Sequence, residues 1–121
     1  MLQKSQAVPG LVFVCARDAE PYVERCLLSL AAQRSTDFHV LFIDDASSDR
    51  TAAVARGVLD AHFAGRHTLL TSPERKGKAR HAFEQLPTRT DAEFIAVLDG
   101  DDELVDAGIL GDLAQAYADG F

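Results

Sequence analysis

The 121-residue sequence predicts an α/β fold, a parallel sheet with helices on both faces. Three observations predict it. Four apolar runs, at 11–16, 40–43, 67–71 and 94–98, alternate with four amphipathic stretches. The run Ile95-Ala96-Val97-Leu98 is apolar at every position, as suits a strand buried between helices. Polar clusters (Arg17-Asp18, Asp44-Asp45 and the acids from Asp99 to Asp102) follow directly on three of the runs. That is the carboxyl end, where a parallel sheet presents ligands.

The first strand is expected at 11–16, followed by a polar loop and by Pro21 in the first turn of a helix. Val23, Cys26, Leu27, Leu30 and Ala31 recur at helical spacing and should face the core. A second strand at 40–43 ends in Asp44-Asp45. Ser48 is the expected N-cap of the next helix, with Asp49 in its first turn and Val54, Ala55, Val58 and His62 on its inner stripe. The third strand leads into a loop broken by Pro73, then a helix turning Ala79, Ala82, Phe83 and Leu86 inward. After the fourth strand, Ile109, Leu110, Leu113, Ala114 and Tyr117 mark a closing helix. The Rossmann-like domain is expected over residues 11–121, with 1–10 frayed.

Composition narrows the function. Hydrophobic content of 47% and charged content of 26% describe a globular chain with one core. A net charge of -7 argues against a nucleic-acid partner of the usual basic kind. Cys15 and Cys26 form no metal-type spacing and read as small buried residues of a reduced, cytoplasmic protein. The apolar run near the N-terminus is too short for a signal peptide core or a membrane span.

Asp99 and Asp101 lie two apart around Gly100, which lets the backbone bend and approach a ligand closely. Crowded carboxylates repel, and a divalent cation such as Mg²⁺ or Mn²⁺ relieves this; the other reading is a solvated acidic turn capping the next helix. By pattern, Asp44 reads as turn chemistry and Asp45 as a hydrogen-bond acceptor for a base or ribose. Residues 75–81 hold four of the 12 Lys and Arg residues. With Gly77 opening a helix they form either a diphosphate partner or a solvated basic face. The segment is not a P-loop, and no serine sits in a Gly-x-Ser-x-Gly elbow.

Four segments in order then resemble one family. They are Val12-Phe13-Val14-Cys15-Ala16-Arg17-Asp18-Ala19-Glu20-Pro21-Tyr22; Cys26-Leu27-Leu28-Ser29-Leu30-Ala31-Ala32-Gln33; Phe42-Ile43-Asp44-Asp45-Ala46-Ser47-Ser48-Asp49-Arg50-Thr51; and Val97-Leu98-Asp99-Gly100-Asp101-Asp102. Together they are similar to the nucleotide-binding half of family 2 glycosyltransferases, which have the GT-A fold. The resemblance implies a donor domain that binds a nucleotide-diphosphate sugar, usually UDP-linked, through Mn²⁺ or Mg²⁺ for inverting transfer to a glycan, lipid or small-molecule acceptor. It implies that Asp45 contacts the base, that Asp99 contacts the ribose or metal, and that Asp101 holds the metal. Ala16, Arg17 and Asp18 would line the nucleotide pocket, with Gly100 beneath it, and Lys78 and Arg80 would flank the diphosphate. Cys15 stands where the family usually has proline, Asp18 where it has asparagine, and the glycine loop is one residue shorter than the common form.

The family's acceptor half, with its catalytic base, would lie beyond Phe121. The chain alone is therefore expected to bind a donor without transferring sugar, to expose a sheet edge prone to self-association, and in a longer form to work at the cytoplasmic face of a membrane. No catalytic residue is assigned. A non-catalytic nucleotide-binding module is the main alternative. A receiver domain would place its acidic pair after the first strand and a lysine after the last, and here no lysine follows Lys78. A haloacid-dehalogenase-like phosphatase needs a threonine soon after its Asp-x-Asp, where Glu103-Leu104 stands.

Overall fold

A computed structural model describes residues 10–89 and 91–120. The elements are β1 (Gly10–Ala16), α1 (Glu20–Ala31), β2 (Phe38–Asp45), α2 (Thr51–His62), β3 (His67–Ser72), α3 (Lys78–Gln85) with a 3₁₀ turn after it, β4 (Phe94–Asp99) and α4 (Ile109–Ala118). All three strand pairings are parallel, and the sheet order is β3-β2-β1-β4. The α/β fold expected from the alternation is the fold observed. The chain leaves β1 toward β2 on one side and returns from β3 to β4 on the other, so the strand order reverses between β1 and β4. That reversal is the switch point where open α/β sheets bind ligands. Gly10 belongs to β1 rather than to a frayed terminus, pairing with Phe38 and Phe94. The remainder of that expectation, residues 1–9, lies outside the described residues.

Alternation along the strands builds a core on each face. Val12, Val14 and Ala16 pack with Val23, Cys26, Leu27 and Leu30 of α1, Ala55 and Leu59 of α2 and Leu110 of α4. Leu11, Phe13 and Cys15, with Leu41 and Ile43, face the other way against Ala82 and Leu86. Thus α1, α2 and α4 cover one face and α3 the other. Among the described residues no helix is long and apolar enough to cross a membrane.

Several side chains sit elsewhere than their periodicity suggests. β4 is not buried on both faces. It is the outer strand beside β1, and Ile95 and Val97 are 42% and 54% exposed, while Phe94, Ala96 and Leu98 pack inward. The strands buried throughout are the central pair, β1 and most of β2. On α3, Phe83 is 82% exposed and Ala79 is exposed, because the helix turns His81 into the protein instead. Ala31, His62, Leu113 and Tyr117 are exposed as well, and on α2 Leu59 takes the buried place expected of His62. Ser48 does not cap α2. The helix starts at Thr51, and the Ser48 amide donates to Asp18 across the loop.

Truncating the fully buried Leu27 to alanine should cost about 2–5 kcal/mol. Phe83→Ala should stay within about 0.5 kcal/mol of the parent, as exposed sites do. Urea unfolding measures both. A Phe83→Ala cost equal to that of Leu27→Ala would mean that α3 presents its other face to the sheet.

Candidate functional site

A cavity of about 260 Å³ opens at the carboxyl ends of β1 and β4. Cys15, Ala16, Arg17 and Asp18 form one wall; Asp99, Gly100 and Asp101 form the other, with Ala19 and Tyr22 contributing from the start of α1. Cys15 and Asp99 are register partners, so the parallel pairing itself sets the walls side by side. At the floor, the Gly100 amide donates to the Cys15 carbonyl at 3.1 Å. A Cβ at Gly100 would collide with the Cβ of Ala16, so glycine allows this closure.

The acidic turn presents Asp99, Asp101 and Asp102 with one carboxylate oxygen each, all within 4.8 Å of one another. Asp101 and Asp102 are exposed and Asp99 is half-buried. Three hard oxygen donors from one turn match the ligand chemistry of Mg²⁺ or Mn²⁺. The capping alternative fails, because α4 does not begin until Ile109. Asp102, which the sequence reading placed outside the metal set, lies in the same carboxylate group; its signal was its position beside Asp101. The turn is held from behind by Ser29 of α1 and by Gln33, two residues past the end of that helix. The Leu104 amide donates to Ser29 Oγ at 2.9 Å, Gln33 Nε2 to the Asp106 carbonyl at 2.7 Å, and the Leu110 amide to Gln33 Oε1 at 3.1 Å. Ser29 and Gln33 both fall in the second of the family-like segments, but the segment as read gave them no duty toward the acidic turn.

The turn after β1 is stitched to the loop after β2. Asp18, at φ +50°, accepts from the Ser48 amide at 2.7 Å and from Ser48 Oγ. The Asp18 amide donates to Ser47 Oγ, the Ala19 amide to Thr51 Oγ1 and the Glu20 amide to Asp49. In return Arg50 N–H donates to Glu20. Thr51, through its hydroxyl and amide, holds the Asp49 carboxyl below the usual carboxylate range. Asp44 accepts from Ser47 and braces the same turn. Asp18 therefore shapes the pocket wall as a brace, while Arg17 stays exposed at its rim.

Asp45 does not line the cavity. Its buried carboxylate accepts from the Lys76 amide at 2.8 Å, the Gly77 amide at 3.0 Å and His81 Nε2 at 2.8 Å. Burial pushes its pKa up, but these donors together hold it below the ordinary value. They fix the turn in which Gly77 adopts φ +87° and from which α3 starts. The first residue of α3, Lys78, reaches back to the cavity, its Nζ 2.7 Å from Asp99 Oδ1. That hydrogen bond and the Asp99 charge raise the lysine pKa. Arg80 goes elsewhere. It is 66% exposed and pairs with Glu84, which also takes Lys76. Burial, with Asp45 and Asp99 nearby, pushes the Cys15 thiol up to about 11, and burial pushes Cys26 up to about 12. Both shifts favour the neutral thiol at neutral pH.

The profile of Glycosyl transferase family 2 matches residues 11–120. The chain belongs to that family. No curated protein matches it. Among solved structures, residues 1–349 of S. aureus TarS in complex with UDP superpose with a TM-score of 0.79 at 24% identity, covering 91% of this chain and 32% of that one. The mannosyltransferase PcManGT from Pyrobaculum calidifontis, in complex with GDP-Man and Mn²⁺, gives 0.76 at 25% identity, covering 93% and 32%. TarS 1–349 in complex with UDP-GlcNAc gives 0.75 at 26% identity, covering 91% and 31%. The chain thus spans about a third of the length of these structures, and the sheet described above is their GT-A fold.

Asp45→Asn tests the buried clamp. It should destabilise the protein by about 1.5–3 kcal/mol at pH 7, the value of hydrogen bonds to a charged group. Because the folded pKa is depressed, this difference is fully present above the ordinary value of 3.8 and is lost as pH falls below it toward the folded value. Denaturant midpoints of parent and variant between pH 3 and 7 measure it; a difference that grows on acidification contradicts the assignment.

Proposed function

We propose that this chain binds the donor of a metal-dependent glycosyl transfer, a nucleoside-diphosphate sugar, in the cavity between β1 and β4. The observation that carries the reading is the carboxylate trio of Asp99, Asp101 and Asp102 at the mouth of that cavity, at the switch point of the sheet. Family membership supports it, as do the nucleotide sugars in the PcManGT and TarS structures and the Mn²⁺ in PcManGT.

In this reading Asp99, Asp101 and Asp102 hold Mn²⁺ or Mg²⁺. The ion supplies Lewis-acid stabilisation of the charge that develops on the diphosphate. The protein's own groups do the placing. Arg17 on one wall and Lys78 beside Asp99 of the other set positive charge near the cavity, where an anionic diphosphate gains from both. The Ala16–Asp18 turn, rigid through its ties to Ser47 and Ser48, offers a fixed surface for the nucleoside. Gly100 keeps the floor free of a side chain. Asp45 acts one layer back, holding the turn that carries Lys78. We take UDP as the donor nucleotide, transfer as inverting, and the acceptor as a glycan, lipid or small-molecule hydroxyl. None of the pocket residues is assigned as the base that takes the acceptor proton.

Isothermal titration with UDP, GDP and ADP, with and without Mn²⁺, tests this. UDP should bind best and only with the ion, and Asp101→Ala should abolish the metal dependence. Full metal-dependent affinity in Asp101→Ala would remove the trio from the site. Affinity for UDP should also weaken as salt rises, most steeply in the parent and less in Arg17→Ala, through screening of the exposed cation.

A further inference from the structure

Asp99 has two claims on it. Its Oδ1 lies 2.7 Å from Lys78 Nζ, and the same side chain belongs to the trio able to hold a divalent ion. We propose that Lys78 is a displaceable counter-ion of the acidic turn: it occupies Asp99 while no divalent ion is bound, yields that carboxylate to the incoming ion, and then turns its ammonium to the diphosphate that enters with it. The inference rests on the donor-binding reading above and concerns what Lys78 does within that site.

Charge is the first argument. The turn places Asp99, Asp101, Asp102 and Glu103 in five consecutive residues. Glu103 meets Arg25 of α1 at 3.6 Å, and Lys78 is the cation on Asp99. Among the described residues Asp101 and Asp102 have no cationic side chain within 4.0 Å. Among the three carboxylates able to hold an ion, the repulsion is thus relieved at Asp99, by a group from a different element 21 residues away in sequence.

Mobility is the second. The lysine's backbone is fixed, because Gly77 before it donates to buried Asp45 and His81 three residues on bonds the same carboxylate. Its tip is not fixed: the side chains of Lys78 and Asp99 are 47% and 46% exposed. A flexible four-carbon stem on a rigid base can change partners without moving the helix. Ion pairs this exposed are weak, so a divalent ion ligated by several carboxylates displaces the ammonium readily. The ammonium then lies beside the cavity, at the N-terminal end of α3, with its charge free for phosphate oxygens.

A lysine that competes with the ion and assists the diphosphate affects the two ligands in opposite directions. Mn²⁺ alone should bind Lys78→Met about two- to fivefold more tightly than the parent, the range set by the loss of an exposed ion pair. UDP at saturating Mn²⁺ should bind the same variant several-fold more weakly. Lys78→Gln should repeat both shifts, guarding against a packing effect of methionine. Arg17→Met removes a charge from the same cavity without releasing Asp99, so its gain in Mn²⁺ affinity should be smaller than that of Lys78→Met. Calorimetry of Mn²⁺ alone and of UDP with Mn²⁺ reads all four proteins. Unchanged or weaker Mn²⁺ binding in both Lys78 variants, or a gain no larger than in Arg17→Met, overturns the counter-ion proposal while leaving the donor site intact. A parent protein that takes up neither Mn²⁺ nor UDP with Mn²⁺ overturns the donor reading, and this proposal with it.

Discussion

The buried carboxylate of Asp45 is the constraint from which the site is built. It sits at the end of β2, almost without solvent, and receives two backbone amides and an imidazole. A buried charge is tolerated only when its hydrogen-bonding capacity is filled, and here three donors fill it. In return it dictates the turn at Lys76-Gly77, the left-handed backbone at Gly77 and the rotation of α3 that buries His81 and exposes Phe83. Lys78 reaches Asp99 because that turn is fixed. A group outside the lining of the cavity between β1 and β4 thereby sets its electrostatics.

The opposite wall follows a similar logic with neutral and charged donors. Asp18 and Glu20 after β1, and Ser47 through Thr51 after β2, exchange hydrogen bonds between the loops. Each run ends in the first residue of a helix, Glu20 of α1 and Thr51 of α2, and each supplies the other's backbone partners. The acidic turn after β4 is secured separately, by Ser29 of α1 and by Gln33 just beyond that helix. The cavity thus lies between two loops, after β1 and after β4, each tied to a helix or to a neighbouring loop, which is the support a binding site needs to keep its geometry.

Much of the fold was legible because each element is simple. β1 and β2 are unbroken apolar runs flanked by turn residues, and Pro21 and the spacing from Val23 to Leu30 mark α1. β4 misled because an apolar run reads the same whether one face or two are covered; only its place beside β1 in the sheet decides it. α3 misled because it has just eight residues, and a polar pair, not an apolar stripe, sets its facing. The grouping of the Asp99 and Asp101 carboxylates was legible because the two lie two apart in sequence. The work of Asp45 was not, since its partners lie 31 to 36 residues away in a segment whose basic character suggested a different use. Arg80 belongs to that same segment, and Glu84, one helical turn on, takes its charge.

The central claim is that the divalent ion and the nucleotide meet where β1 and β4 end. Paramagnetic broadening by Mn²⁺ in amide NMR spectra, recorded with UDP present, tests it most directly because the effect falls steeply with distance from the ion. A second cavity, of about 250 Å³, lies between β3 and α3 and is lined by Leu70, Thr71 and His81 among others. The account predicts that the amides of Asp99, Gly100, Asp101 and Asp102 vanish first, that those of Ala16 to Ala19 follow, and that the amides of Leu70 and Thr71 in the groove between β3 and α3 persist. Broadening centred on that groove, or spread evenly over the acidic surface, would contradict it.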